Sequence, residues 1–138
     1  MTKPEKEKEH PKHGVMEPIT RVIAMPKDAN ADGDIFGGWI VSQMDIAGAI
    51  PAGHTAKGRI VTVAINSLRF HKPVLVGDVI TFSALVEKVG RTSITIRVEA
   101  VSERRNGEHV FVTEATFVYV AIDENRKPRP VFPGAGES

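Results

Sequence analysis

The sequence contains no cysteine. That excludes disulfide bridges, thiolate nucleophiles and every metal site built on cysteine. Charge of one sign is not in excess either, since 18 lysines and arginines stand against 17 aspartates and glutamates. A nucleic-acid or membrane surface set by bulk charge is therefore not expected. The one long apolar run, 35–52, is interrupted by Asp45 and by glycine and polar residues, so it does not read as a membrane span. The first ten residues, Met1 to His10, are charged and lack the apolar centre of a signal peptide. These absences leave a soluble cytoplasmic protein as the expectation. What remains is a chain of 138 residues, one domain's worth, able to build one real core.

Residues 1–17 are charged, proline-containing and aperiodic, and read as a mobile tail. Residues 131–138 read as a second loose tail, which leaves 18–130 as the domain. His10 and His13, three apart, lack the carboxylate or cysteine company of a metal site. Within the domain the order is strand, loop, helix, then several strands. Ile19–Met25 is expected to be the first strand, and 26–33 is dense in turn formers. Gly37 and Gly38 open the helix; Pro51 with Gly53 is expected to close it. Strands follow over Arg59–Phe70, Val79–Val89, Thr92–Glu103 and Val110–Ile122. Turns at Gly77-Asp78, Gly90-Arg91 and Asn106-Gly107 separate these four. One helix followed by antiparallel strands is α+β.

Asp45 is the one charged residue of the apolar run. The run has no amphipathic stripe, so its helix is expected to be buried nearly all round, inside a wrapping sheet. A carboxylate there loses hydration, which is costly unless it is partnered or has a task. Two further features precede it. Asn30 offers a side-chain amide in the loop before the helix. Gly37 and Gly38 present bare backbone N–H groups at the positive end of the helix. Together these are parts for acyl transfer: an oxyanion hole, a polar positioner, and a carboxylate acting as base or nucleophile. Each also has a structural reading. Asp45 could be an internal acid tied to an arginine or to backbone N–H, the glycines could allow close packing, and Asn30 could be a turn residue.

Spacing adds a constraint. Seven or eight helical residues separate the glycines from Asp45, about 10–12 Å at ~1.5 Å per residue. Reacting atoms must approach to ~3 Å, so one chain does not easily supply both groups to one carbonyl. Two antiparallel copies of the helix across a two-fold axis would do so. The expectation is an obligate dimer, with Asn30 and the glycine N–H groups from one subunit and Asp45 from the other.

The segment from Asp28 to Trp39 (Asp-Ala-Asn-Ala-Asp-Gly-Asp-Ile-Phe-Gly-Gly-Trp), followed by Gln43-Met44-Asp45-Ile46-Ala47-Gly48-Ala49, resembles the signature of hotdog-fold acyl-CoA thioesterases of the YciA type. These are similar to the mammalian cytosolic and brain acyl-CoA hydrolases. The resemblance runs from about Thr20 to Arg129. It takes in Arg59-Ile60-Val61-Thr62-Val63, the Phe70-His71-Lys72-Pro73-Val74 corner, Val76-Gly77-Asp78 and Glu114-Ala115-Thr116-Phe117-Val118-Tyr119-Val120. It implies one long helix wrapped by a curved antiparallel sheet, dimers assembled into trimers of dimers, and hydrolysis of fatty acyl-CoA to free acid and CoA. It carries Asn30 and Asp45 over as catalytic residues and a glycine-pair N–H as the group that polarises the thioester. No metal or cofactor is expected beyond the CoA of the substrate itself.

The phosphates of CoA favour arginine and lysine. Arg69, Lys72 and Arg91, with Thr92 and Ser93, lie at strand ends or turns and are the candidate CoA contacts. His54 and His71 are read as structural or rim residues, Phe36 and Trp39 as core or dimer contacts. Two other readings compete: an acyl-thioester dehydratase, which needs a substrate-facing histidine, and a non-catalytic acyl-CoA sensor, which has no use for a desolvated carboxylate. Chain-length preference and the choice between base and nucleophile for Asp45 are not legible in the sequence.

Overall fold

The computed structural model describes residues 16–133. Five strands and one long helix make up the fold: β1 (Glu17–Ile23), α1 (Gly37–Ala56), β2 (Ile60–Phe70), β3 (Val79–Val89), β4 (Ser93–Glu103) and β5 (His109–Ala121). A single 3-10 turn, Pro26–Asp28, sits in the loop before α1. The strands form one antiparallel sheet in the order β1-β3-β4-β5-β2. Each ladder carries at least one register shift. Such bulges bend a sheet, and α1 touches all five strands from one face.

Alternation in the sequence decides which face is which. Ile94, Ile96, Val98 and Ala100 of β4 are buried toward the helix, while Thr95, Arg97 and Glu99 point the other way and are half-buried. On β5, Phe117, Tyr119 and Ala121 complete the inner layer. The turns need glycine where φ is positive: Gly77 and Gly107 both lie at +94°, a conformation that costs little without a Cβ. Asp78, 2% exposed, braces the β2–β3 connection. Its Oδ2 accepts from Leu75 N–H and from Arg104, which also donates to the Pro73 carbonyl.

Two expectations need correction. Pro51 does not close α1; the helix runs through it to Ala56 and ends at Lys57, whose φ of 55° is left-handed. Proline removes one helical N–H donor, but the last turn is docked on the core. Ala52 and Ala56 are buried, and Arg129 donates to the Ala56 carbonyl at 2.7 Å. Nor is α1 buried all round within one chain. Ile40, Met44, Ala47, Gly48, Ala52 and Ala56 face the sheet. On the opposite side, Phe36 at the N-cap, Ile46 and Ile50 are exposed. The missing stripe is real, because that open side is apolar as well. The outer strand β2 is uncovered too, with Val63, Ile65, Leu68 and Phe70 all exposed.

The end of the domain reaches further than 130. Val131 is buried, and its N–H donates to the Arg91 carbonyl at 2.8 Å. Residues 1–15 and 134–138, most of the two expected tails, lie outside the described residues. No helix among the described residues is long and apolar enough to cross a membrane.

Candidate active site

Asp45 lies midway along α1 and is half-buried rather than sequestered. Its partners are hydroxyls, not an arginine. Thr62 Oγ1 donates to Oδ1 at 2.7 Å, and the Tyr119 hydroxyl reaches the same oxygen at 3.1 Å. Tyr119 also lies 2.8 Å from the Asp45 main-chain carbonyl. Oδ2 has no hydrogen-bond partner among the described residues. The sheet register explains the convergence. Thr62 of β2 and Tyr119 of β5 are direct cross-strand partners, and the β2 register shifts immediately after Thr62. Each ladder position therefore delivers one hydroxyl to one carboxylate oxygen. Tyr119 is fully buried. Desolvation, then the Asp45 charge and the hydrogen bond to it, push its hydroxyl well above the ordinary tyrosine range, so it stays a donor at neutral pH.

The helix N-terminus is open. Gly37 and Gly38 N–H have no acceptor among the described residues, and Phe36 at the N-cap supplies no side-chain bond. Gly37 also makes room: a Cβ there would sit 3.1 Å from the Phe70 ring, whereas one on Gly38 would meet nothing within 4 Å. Beside Gly37 lies a cavity of about 370 Å³, whose lining includes Asp34, Ile40, Phe70, His71, Lys72 and Pro73. Asn30 shapes the loop that leads in. Its Oδ1 accepts from the N–H groups of Asp32 at 2.9 Å and Asp34 at 3.1 Å. With that oxygen engaged, the free end of its amide is a donor. Asn30 is thus both the turn residue and the polar group of the alternative readings.

The remaining candidates fall into two groups that one chain does not bring together. Lys72 lines the cavity at Gly37, and Arg69 stands exposed on β2 opposite Glu114. Arg91 and Thr92 lie in the β3–β4 connection and Ser93 opens β4, opposite Val120. Six β5 positions separate Glu114 from Val120, roughly 20 Å at ~3.3 Å per residue. His54 is exposed near the far end of α1. His71 is engaged elsewhere: its Nε2 lies 2.7 Å from Glu114 Oε2, and its ring stacks on Phe111. The His71 bond, opposed by burial and reinforced by Arg97, holds the Glu114 carboxyl below the usual range. No group of three histidine, aspartate or glutamate side chains among the described residues is placed to hold a metal ion.

Thr62 and Tyr119 are not distinguishable by sequence reasoning as site residues. Both fall inside the stretches that carry the family resemblance, yet nothing local separates a strand hydroxyl that meets the helix from one that does not. The available signal is the pairing of two hydroxyl residues across one ladder, and that requires the register.

A family model described as the thioesterase superfamily matches residues 32–108. That span includes α1, the open glycine pair and both Asp45 and Thr62. The chain belongs to the thioesterase superfamily. The acyl-CoA thioester hydrolase YciA of Salmonella typhimurium is 50% identical over 82% of this thioesterase and 88% of its own length. A hexameric thioesterase of Yersinia pestis is similar in structure, with a TM-score of 0.82 and 50% identity, over 86% of this chain and 97% of that one. An acyl-CoA hydrolase of Staphylococcus aureus is more distant, at 27% identity and a TM-score of 0.74 over 80% and 69% of the two chains. It has been solved as alanine variants of an asparagine, of an aspartate fifteen positions on, and of a threonine seventeen beyond that. The helix on a five-stranded antiparallel sheet is the hotdog fold.

Proposed function

We propose that this thioesterase hydrolyses acyl-CoA to a carboxylic acid and CoA, in an assembly where two copies share each site. The observation that carries the reading is the state of Asp45. One carboxylate oxygen is held by two hydroxyls, the other is free, and no cation pairs with it among the described residues. A half-buried carboxylate with one oxygen fixed and the other open is placed to meet a water or a substrate. Support comes from the spacing of Asn30, Asp45 and Thr62. Their separations of fifteen and seventeen equal those of the three residues replaced in the Staphylococcus aureus acyl-CoA hydrolase.

In the proposed reaction the thioester carbonyl lies against the Gly37 and Gly38 N–H groups, where the helix dipole stabilises developing negative charge. The Asn30 amide orients the carbonyl or the water. Asp45 Oδ2 either takes a proton from that water or attacks the carbonyl to give a mixed anhydride that water opens. Either way a C–O bond forms, the C–S bond breaks, and the sulfur leaves as the CoA thiol. No step calls on a metal. The glycines and Asp45 of one α1 are about 12 Å apart along the axis, so the pair is completed by a second copy running antiparallel. Such an arrangement centres near Val41 and covers the apolar side of α1 that one chain leaves open. Assembly of three such pairs into a hexamer is proposed with it. Arg69, Lys72, Arg91, Thr92 and Ser93 remain the proposed CoA contacts, Arg69 and Lys72 near one end of the sheet and the other three near the opposite end.

Release of free thiol from a panel of acyl-CoAs tests the activity. Asp45→Ala should lower turnover by about 10³-fold or more with fold and assembly unchanged. Near-normal turnover in that variant refutes the assignment. Tight binding without turnover in the unaltered protein would instead favour a sensor.

A further inference from the structure

The chain contains one tyrosine, and it reaches the carboxylate on which the proposed reaction turns. Tyr119 is fully buried, yet its hydroxyl is spent on α1 rather than on its own sheet. It lies within 2.8 Å of the Asp45 carbonyl and 3.1 Å of Oδ1. The approach is possible only because the next turn of the helix carries no side chain at its contact point. A Cβ on Gly48 would fall 2.6 Å from the Tyr119 hydroxyl and 3.1 Å from Val98 Cγ2. Gly48 is therefore a socket for the hydroxyl. Glycine in a helix interior is less favourable than alanine, so local stability alone does not favour it there.

We infer that Tyr119, seated in the Gly48 socket, is a positioning residue: it joins Thr62 in pinning Oδ1 of Asp45 and so leaves Oδ2 as the oxygen presented to the substrate. The inference rests on the function proposed above and extends it. Thr62 stands solvent-exposed on the outer strand β2 and Tyr119 fully buried on β5, and both reach Asp45 from the helix-facing side of the sheet. Thr62 donates to Oδ1, and the single Tyr119 proton is shared between Oδ1 and the Asp45 main-chain carbonyl, so the two hydroxyls together restrict rotation about χ2. Because the Tyr119 hydroxyl spans both the main chain and the side chain of Asp45, it ties the carboxylate to the helix backbone as well as to the sheet.

The test is Tyr119→Phe, which keeps the ring and its packing beside Phe117 and removes one oxygen. Thiol release should show kcat lowered about ten-fold or more, the worth of a hydrogen bond to a charged group, with KM within two-fold. Gly48→Ala should reproduce that split by driving the hydroxyl out of its socket. The double variant should be no slower than the slower single one, because both changes remove the same contact. Wild-type kcat in Tyr119→Phe, a change confined to KM, or losses that multiply in the double variant would each overturn the inference. Should Tyr119→Phe fail to assemble, Gly48→Ala decides alone, and unchanged kcat there is equally fatal. An inactive Asp45→Ala beside a fully active Tyr119→Phe sinks this inference and leaves the proposed activity standing.

Discussion

Asp45 shows how a single side chain can be found by sequence and still be misjudged in its surroundings. Its isolation in an apolar run marks it, but the run does not say whether the group is buried or what it touches. The structure places it half-buried with Thr62 and Tyr119 on one oxygen. Tyr119 carries a pH consequence of its own. Desolvation first, then the Asp45 charge, raise its hydroxyl above the value of a free tyrosine, which is about 10. The folded protein therefore keeps a proton that the unfolded chain gives up as pH passes about 10. The associated stability is fully present below that pH and is lost as pH rises above it. Urea unfolding of the native protein should weaken steadily on the alkaline side of pH 10, and Tyr119→Phe should flatten that limb relative to the parent. Equal alkaline slopes in the two proteins would show that the hydroxyl contributes nothing.

At the scale of the element, α1 and the β2–β3 connection do different work. The helix offers one face to the sheet and leaves exposed apolar side chains such as Ile46 and Ile50 on the other. That is why no stripe is visible in it; Pro51 is tolerated because the turn that follows it is docked on the core and held by Arg129. The end of β2 sets Phe70 over Gly37, and the connection after it rests on buried Asp78 paired with the partly buried Arg104. Removing one member of such a pair leaves an uncompensated charge, at ~3–5 kcal/mol. Asp78→Ala should accordingly lose about 3 kcal/mol in denaturant unfolding. A loss below about 1 kcal/mol would mean that Arg104 finds other partners, in line with an exposed ion pair.

For the whole molecule the question is where the two halves of the site come from. If Asn30 and the glycines serve one protomer's half and Asp45 the other's, two inactive variants can rescue each other. Mixing unfolded Asn30→Ala and Asp45→Ala chains in equal amounts and refolding them together should restore about a quarter of the wild-type sites, since half the pairs are mixed and each mixed pair holds one intact site. Activity no higher than that of the separate variants would place Asn30 and Asp45 of the same chain in one site. It would also remove the argument for a shared cleft. The open apolar surface on α1 and β2 makes the pairing physically reasonable, and the complementation experiment reads it in the currency of catalysis rather than of size.

Local pattern was enough to locate β3, to separate the alternating faces of β3 and β4, and to mark Asn30, the glycine pair and Asp45 as candidates, because turn chemistry, alternation and a stranded charge are properties of neighbours in the chain. It was also enough to suggest a second copy, since distance along a helix follows from counting residues. Tertiary structure alone decided the rest. Thr62 and Tyr119 become site residues only through a register between strands nearly sixty residues apart. Gly48 becomes a socket only because that register aims a hydroxyl at it. Arg69 and Lys72 part from Arg91, Thr92 and Ser93 only because β5 runs between them. The physical reason is common to all three: each depends on which ladder positions pair across the sheet, and pairing is settled by burial of the whole inner face rather than by any residue's own neighbours.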